Sequence, residues 1–127
     1  MSFSVSTRES ATANALSIDA TRTVQGDSQL AILQLVPAAT VDQEILAAID
    51  ISLAKMVMIK STQDVTIKTN STGAPDDTLA MTANIPRVWR DGDYNAIFLT
   101  ADVAKFFISN ATANEATVQI LALIDLP

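Results

Sequence analysis

Residues 40–60 read TVDQEILAAIDISLAKMVMIK, and the period assigned to them decides the fold. Thr40 followed three residues later by Gln43 resembles a helix capping box, and Ile45, Ile49 and Leu53 recur at the i, i+4 spacing of a helix face. The same residues also alternate, with Ile45, Ala47, Ile49 and Ile51 on one side and Leu46, Ala48, Asp50 and Ser52 on the other. The strand reading of 40–55 is preferred because its neighbours read as strands; a helix over 40–55 is the alternative.

Outward from this stretch the period of two persists. In MVMIKSTQDVTIKTN (56–70), Val57 and Ile59 face one way, and Val65, Ile67 and Thr69 repeat the pattern after STQD, which predicts a hairpin. A second hairpin is predicted over 63–81, its tip NSTGAPDDT bent by Gly73 and Pro75. Downstream, TLAM (78–81), RVW (87–89), NAIFL (95–99), KFFIS (105–109) and TVQILALIDL (117–126) are further strands bounded by Gly, Pro, Asn or Asp. Upstream, FSVST (3–7) and ALSIDATRTV (15–24) flank a small polar connection, RESATAN (8–14). QLAILQLV (29–36) follows a turn at Gly26 and Asp27 and stops at Pro37. About eight to ten short strands, mainly antiparallel, make the expected class all-β, a β-sandwich or jelly-roll-like fold.

Composition agrees. The chain has 127 residues, the size of one core-bearing domain. It is 49% hydrophobic with only 5% aromatic residues, so its apolar character comes from aliphatic and alanine side chains, and the abundant Thr adds to a bias towards strands. The net charge of −6 and the scattered positions of Lys55, Lys60, Lys68 and Lys105 argue against nucleic acid as a partner. Without cysteine, disulfides, zinc thiolates and thiol nucleophiles are excluded. No signal peptide is read in MSFSVSTRES and no apolar run is long enough for a membrane helix, so no membrane is expected as a partner.

Catalytic and binding motifs are sparse. With no histidine and no cysteine, Ser52-Leu53-Ala54-Lys55 is the one Ser-x-x-Lys arrangement, and it requires a helix where a strand is preferred. In DGDYNAIFLTAD (91–102), Asp91, Asp93 and Asn95 alternate and Asp102 falls twelfth, as in a calcium loop. Ala96 stands where that loop needs glycine, so Asp-Gly reads as a hairpin turn, with an irregular cation site at Asp91 and Asp93, joined by Asp76 or Asp77, as the alternative. Asn70-Ser71-Thr72 and Asn110-Ala111-Thr112 match the glycosylation sequon but read as turn chemistry. Trp89 between Arg87 and Arg90 is either a stacking platform or a buried or subunit-facing indole whose arginines pair with local carboxylates. No catalytic, cofactor-binding or metal-binding residue is assigned, no cofactor is expected, and the chain is not read as an enzyme.

The apolar surplus carries more weight than any motif. MVMI, AILQLV, AIFL and QILALI are apolar on both faces or nearly so, and the charged share of 17% is well below the usual value of about 25%. A two-sheet sandwich hides only its inner faces, so its outer faces are expected to meet other subunits unless loops or a helix of the same chain cover them.

The stretch MVMIKSTQDVTIKTNSTGAPDDTLAM, followed by NIPRVW and LTADVAKFFISNATANEATVQILAL, resembles a group of short all-β structural proteins of tailed-bacteriophage virions. The resemblance covers roughly the last 75 residues. It implies a non-enzymatic virion protein, assembled in the bacterial host cytoplasm, that decorates or cements the capsid through protein–protein contacts. The implied partners are copies of itself, as a trimer or dimer, and the major capsid protein or other virion proteins. A phage tail, baseplate or fibre component and a calcium-dependent carbohydrate-binding module are the alternatives. Residues 1–127 read as one sandwich domain, in which 1–14 is either an extended N-terminal arm across a neighbour or an ordinary first strand.

Overall fold

The computed structural model describes residues 2–127, so Met1 of the expected arm lies outside the described residues. The strands are β1 (Phe3–Ala13), β2 (Leu16–Gly26), β3 (Ser28–Val36), β4 (Thr40–Ile49), β5 (Ala54–Ser61), β6 (Val65–Thr69), β7 (Thr78–Met81), β8 (Arg87–Arg90), β9 (Val103–Asn110) and β10 (Ala116–Ile124). No helix occurs among the described residues, and none could cross a membrane. Residues 40–55 are therefore β4, a turn at 50–53 and the start of β5, as the alternation indicates and the capping-box pattern does not.

Two four-stranded antiparallel sheets, ordered β3-β10-β5-β8 and β4-β9-β6-β7, pack face to face as a β-sandwich. The interior combines Val36, Val57, Ile59, Val118 and Ile120 of the first sheet with Ile49, Ile67, Leu79, Phe106 and Ile108 of the second. Fully burying one such aliphatic or aromatic side chain contributes about 1.5–3 kcal/mol, so this shared interior is what holds the sheets together. Its few polar intruders are paired: Ser61 donates to the Gln63 carbonyl, Thr69 Oγ1 accepts from the Asp77 amide, and Asn110 Nδ2 donates to the carbonyls of Val36 and Asn114.

Within the sandwich, β6-β7 joins consecutive strands as a hairpin, with Val65 opposite Met81 and Lys68 opposite Thr78; the other links cross from one sheet to the other. This corrects the hairpin expected through STQD. β5 and β6 lie in opposite sheets, and Thr62 still donates its amide to Thr117 before the chain crosses the edge. Alternation shows that Ile59 and Ile67 both point inward; it does not distinguish neighbours within a sheet from neighbours across a core.

Two further expectations are corrected. NAIFL forms no strand: after the turn at Asp91 and Gly92, residues 91–102 run as an irregular crossing between sheets. Leu99 is buried, and Ile97 and Phe98 pack on the core, so the apolar run reports burial without ladder pairing. RESATAN is not a connection, because β1 and β2 pair without interruption from Phe3–Gly26 to Ala13–Leu16. The loop is Asn14-Ala15 alone, with Asn14 in the left-handed region at φ 55° that short hairpin loops demand and Asn tolerates.

Candidate interaction surface

The β1-β2 ribbon has two chemically different faces. Register places Ser4, Ser6, Arg8, Ser10 and Thr12 on one side with Gln25, Thr23, Thr21, Asp19 and Ser17, an entirely polar surface. It is laced by an Arg8–Asp19 ion pair at 2.8 Å and a Ser6–Thr23 hydrogen bond. The opposite face begins with Phe3, Val5 and Val24 and ends with Ala11, Ala13, Leu16 and Ile18.

Only the first part of that face is covered. Val24, Met56 and Leu123 form a second small core, against which Phe3, Val5 and Met58 pack, so the ribbon's base sits on the outer face of the first sheet. Gly26 makes this approach possible: a Cβ there would meet the Ile124 nitrogen and Leu123 Cβ at 3.1 Å. Past Val5 the ribbon is tethered by charge. Arg22 pairs with Asp93 at 2.5 Å and donates to the Asp91 carbonyl, while Arg90 donates to Thr7 and pairs with Glu9. Beyond these contacts every ribbon residue is exposed; Leu16 is 63% and Ile18 60% accessible.

The tether has a defined electrostatic character. Hydrogen bonding to Glu9, with the charge of Asp93, raises the already high Arg90 pKa despite burial. Burial alone would raise the Asp93 carboxyl, but the Arg90 amide and the Arg90 and Arg22 guanidinium groups outweigh it and hold the pKa below the ordinary value of 3.8. Lys55 is raised mainly by its hydrogen bond to Asp91, with Asp125 assisting.

The sandwich's outer faces differ as well. On the first sheet, Leu33 lies opposite Gln119, which neighbours Lys60, and Ala31 opposite Leu121, which neighbours Met58. These side chains line an open groove of about 410 Å³, next to which Leu35 is also half exposed. Its volume is at the lower end for a small-molecule pocket, yet Lys60 and Gln119 are its only polar side chains, so it suits aliphatic side chains better than a polar ligand.

The residues singled out from the sequence have structural employment. Asp91 and Asp93 carry Lys55, Arg22 and Arg90. Asp76 accepts from Asn70 Nδ2, and Asp77 accepts from the Thr100 amide and hydroxyl, so the 70–78 tip meets the 91–102 crossing at Thr100 and Asp102, not at the aspartates of DGDYN. No cluster of three acidic side chains that could hold a metal ion occurs among the described residues. Ser52 donates to Asp50, and Lys55 faces Asp91 and Asp125, so the Ser-x-x-Lys pair is not assembled.

Asn70 Nδ2 is committed to Asp76 and the Asp102 carbonyl, and Asn110 is fully buried, so neither sequon presents a free amide. Trp89 pairs with Val57 across β5-β8 and packs against the core, while Arg87 donates to the Ala80 carbonyl. Tyr94 is fully exposed and lines the same shallow cleft as Trp89.

Sequence reading missed the ribbon. Its signal was present as alternation on both sides of Asn14, but the apolar positions Ala11 and Ala13 are too small to stand out from the polar ones. Compared with family models, curated proteins and solved structures, the chain finds no match among any of the three.

Proposed function

We propose that this protein is a non-enzymatic structural component of a tailed-bacteriophage virion, a capsid decoration or cement subunit that works by protein–protein contact. The observation that carries the associative part is the pair of uncovered apolar surfaces, the distal ribbon face with Leu16 and Ile18 and the outer groove with Leu33 and Leu35. Apolar surfaces of this kind mark interfaces, and the chemical motifs of the chain are consumed by its own turns and ion pairs. The virion setting rests on the resemblance of residues 56–123 to phage structural proteins. Its partners under this reading are copies of itself, as a dimer or trimer, and the major capsid protein, with no nucleic acid, membrane or cofactor involved. A tail, baseplate or fibre position uses the same surfaces and is the variant within this reading.

Light scattering on the purified protein is expected to give a mass above that of one chain, and sedimentation with phage heads is expected to bring the protein down with them. A strictly monomeric species that leaves heads untouched would refute the proposal. A second reading, carbohydrate binding, is favoured by Tyr94 beside Trp89 over an open cleft. Calcium has little part in it, since Asp91 and Asp93 already face the chain's own cations. Calorimetric titration with oligosaccharides tests it, and a Trp89→Ala variant that binds as well as the parent would remove it.

A further inference from the structure

We infer that the ribbon of one copy seats its distal apolar face in the outer-sheet groove of a second copy, so that subunits join by arm exchange. This deepens the associative part of the proposed function and does not depend on the virion setting. The contact has a precedent within the chain. The ribbon's proximal apolar face, Phe3, Val5 and Val24, already rests on the outer face of the first sheet at Met56 and Leu123. The two open surfaces are the continuations of that contact on each side: Ala11, Ala13, Leu16 and Ile18 on the ribbon, and Ala31, Leu33, Met58 and Leu121 on the sheet.

A chain does not satisfy its own groove. Gly26 touches β10, Val24 packs over β5 and β10, and then Thr7, Glu9 and Arg22 bond to Arg90 and to Asp91 and Asp93 just beyond β8. The ribbon thus travels from the sheet's centre towards the β8 edge, while the groove spans β3, β10 and the Met58–Lys60 part of β5, and the distal ribbon leads away from it. Past the Glu9–Ala20 pair four more residue pairs follow; at about 3.3 Å per residue they reach on the order of 13 Å beyond the tether.

A two-stranded ribbon is marginally stable alone, and an interface that covers its apolar side supplies what it lacks. No charged side chain lies on that side beyond Glu9. Lys60, at the groove, makes no ion pair among the described residues and can turn its ammonium to water while its stem lines the contact. Each copy offers one arm and one groove, so the contact closes either as a reciprocal dimer or as a ring such as a trimer.

The chain has no cysteine, which makes the test direct. Full-length Ile18→Cys and Leu33→Cys variants, mixed in equal amounts and mildly oxidised, are expected to give a covalent pair containing one of each. Homogeneous pairs as abundant as the mixed one would indicate tip-to-tip or face-to-face contact and overturn the inference.

Independently, Ile18→Asp and Leu33→Glu should each weaken self-association about tenfold or more, with far-UV circular dichroism confirming that both remain folded. Mixing the two leaves one intact arm and one intact groove, and is expected to restore a two-chain complex and nothing larger. If both variants stay assembled like the parent, association uses another surface, and this inference fails while the associative reading stands. If both stay assembled like the parent but no longer bind heads, the surfaces serve the coat and not a second copy. A parent protein that is monomeric at every concentration and still binds heads would overturn arm exchange alone.

Discussion

The two outer faces of the sandwich are built from strands of similar length and similar apolar content, yet they end up chemically opposite. On the β4-β9-β6-β7 sheet, Lys105 pairs with Glu44 at 3.3 Å and lies 5.7 Å from the Phe107 ring centroid, and Lys68 faces Asp42 across the sheet. Charges and Thr66 and Ser109 occupy the middle of that surface, and the exposed Val41 and Leu46 sit on its edge strand β4. On the β3-β10-β5-β8 sheet the corresponding middle is Leu121, Met58 and Leu123, partly roofed by the ribbon and otherwise open. The difference teaches which face is dressed in charge and which is left apolar: exposed ion pairs contribute about 0–1 kcal/mol to folding but keep a surface wet, whereas an aliphatic surface gains only by being covered.

Breaking that contrast should have its largest effect beneath the ribbon. Met56→Ala or Leu123→Ala, each fully buried under the ribbon base, is expected to cost about 2–5 kcal/mol in urea unfolding. Leu46→Ala on the other face, 76% exposed, should stay within about 0.5 kcal/mol. Equal costs at the two faces would erase the distinction drawn here.

Next in size is the response to charge. Leu33→Glu with Leu35→Glu should lower self-association by at least about tenfold, given about 1.5–3 kcal/mol for each Leu fully buried at a contact. Val41→Glu with Leu46→Glu should leave it unchanged. Sedimentation velocity over a concentration series reads both, and the reverse outcome would assign the sticky role to the second sheet.

A smaller effect is expected at the ribbon's hinge. Gly26→Ala places a methyl against backbone and Cβ atoms at 3.1 Å, and forcing the ribbon outward should cost about 1 kcal/mol or somewhat more. Limited proteolysis should then cut within 8–22 sooner than in the parent; unchanged protection would mean that β10 yields instead.

The smallest effect is a pH dependence. Because the folded pKa of Asp93 lies below its ordinary 3.8, the stability this group contributes is full above that value and is lost as the pH falls through the lower folded one. The urea midpoints of the parent and of Asp93→Asn should therefore differ at neutral pH and draw together only as the pH falls below the ordinary carboxylate value of 3.8. A gap that persists into acid would show that Arg22 and Arg90 do not hold the tether through this carboxylate.

Much of the architecture was legible because most inward positions carry an apolar residue, chiefly Val, Ile or Leu. Ile45 and Ile49 suit a helix face as well as a strand face, so the strand-like neighbours decide the reading of 40–55, and β4 buries Ala47 and Ile49 on one side as the alternation requires. The same logic located β6, β7, β9 and β10. It misassigned NAIFL because Leu99 is buried by filling the space between sheets, where no ladder is required. It joined β5 to β6 as a hairpin because side-chain alternation carries no information about which strand supplies the hydrogen bonds.

At the interaction surface, the excess of apolar strand positions was visible, but its destination was not. Val24 and Met56 lie 32 positions apart and meet only because the ribbon folds back over β5. A cation site at Asp91 and Asp93 stayed open as an alternative to a turn for the same reason: Arg90, three residues from Asp93, is a partner the local sequence offered, but Arg22 comes from β2 and no local pattern announces it.

By itself the amino-acid order determined an all-β chain, the inward side of most strands, and an apolar surplus too large for one interior, because alternation and composition are local properties that each strand carries with it. Only the tertiary structure decided which strands pair, that the first two leave the sandwich as a ribbon, and that one outer face is roofed and greasy while the other is charged. Those outcomes depend on contacts between residues far apart in the chain, where loop closure and shared burial, not local preference, choose the partner.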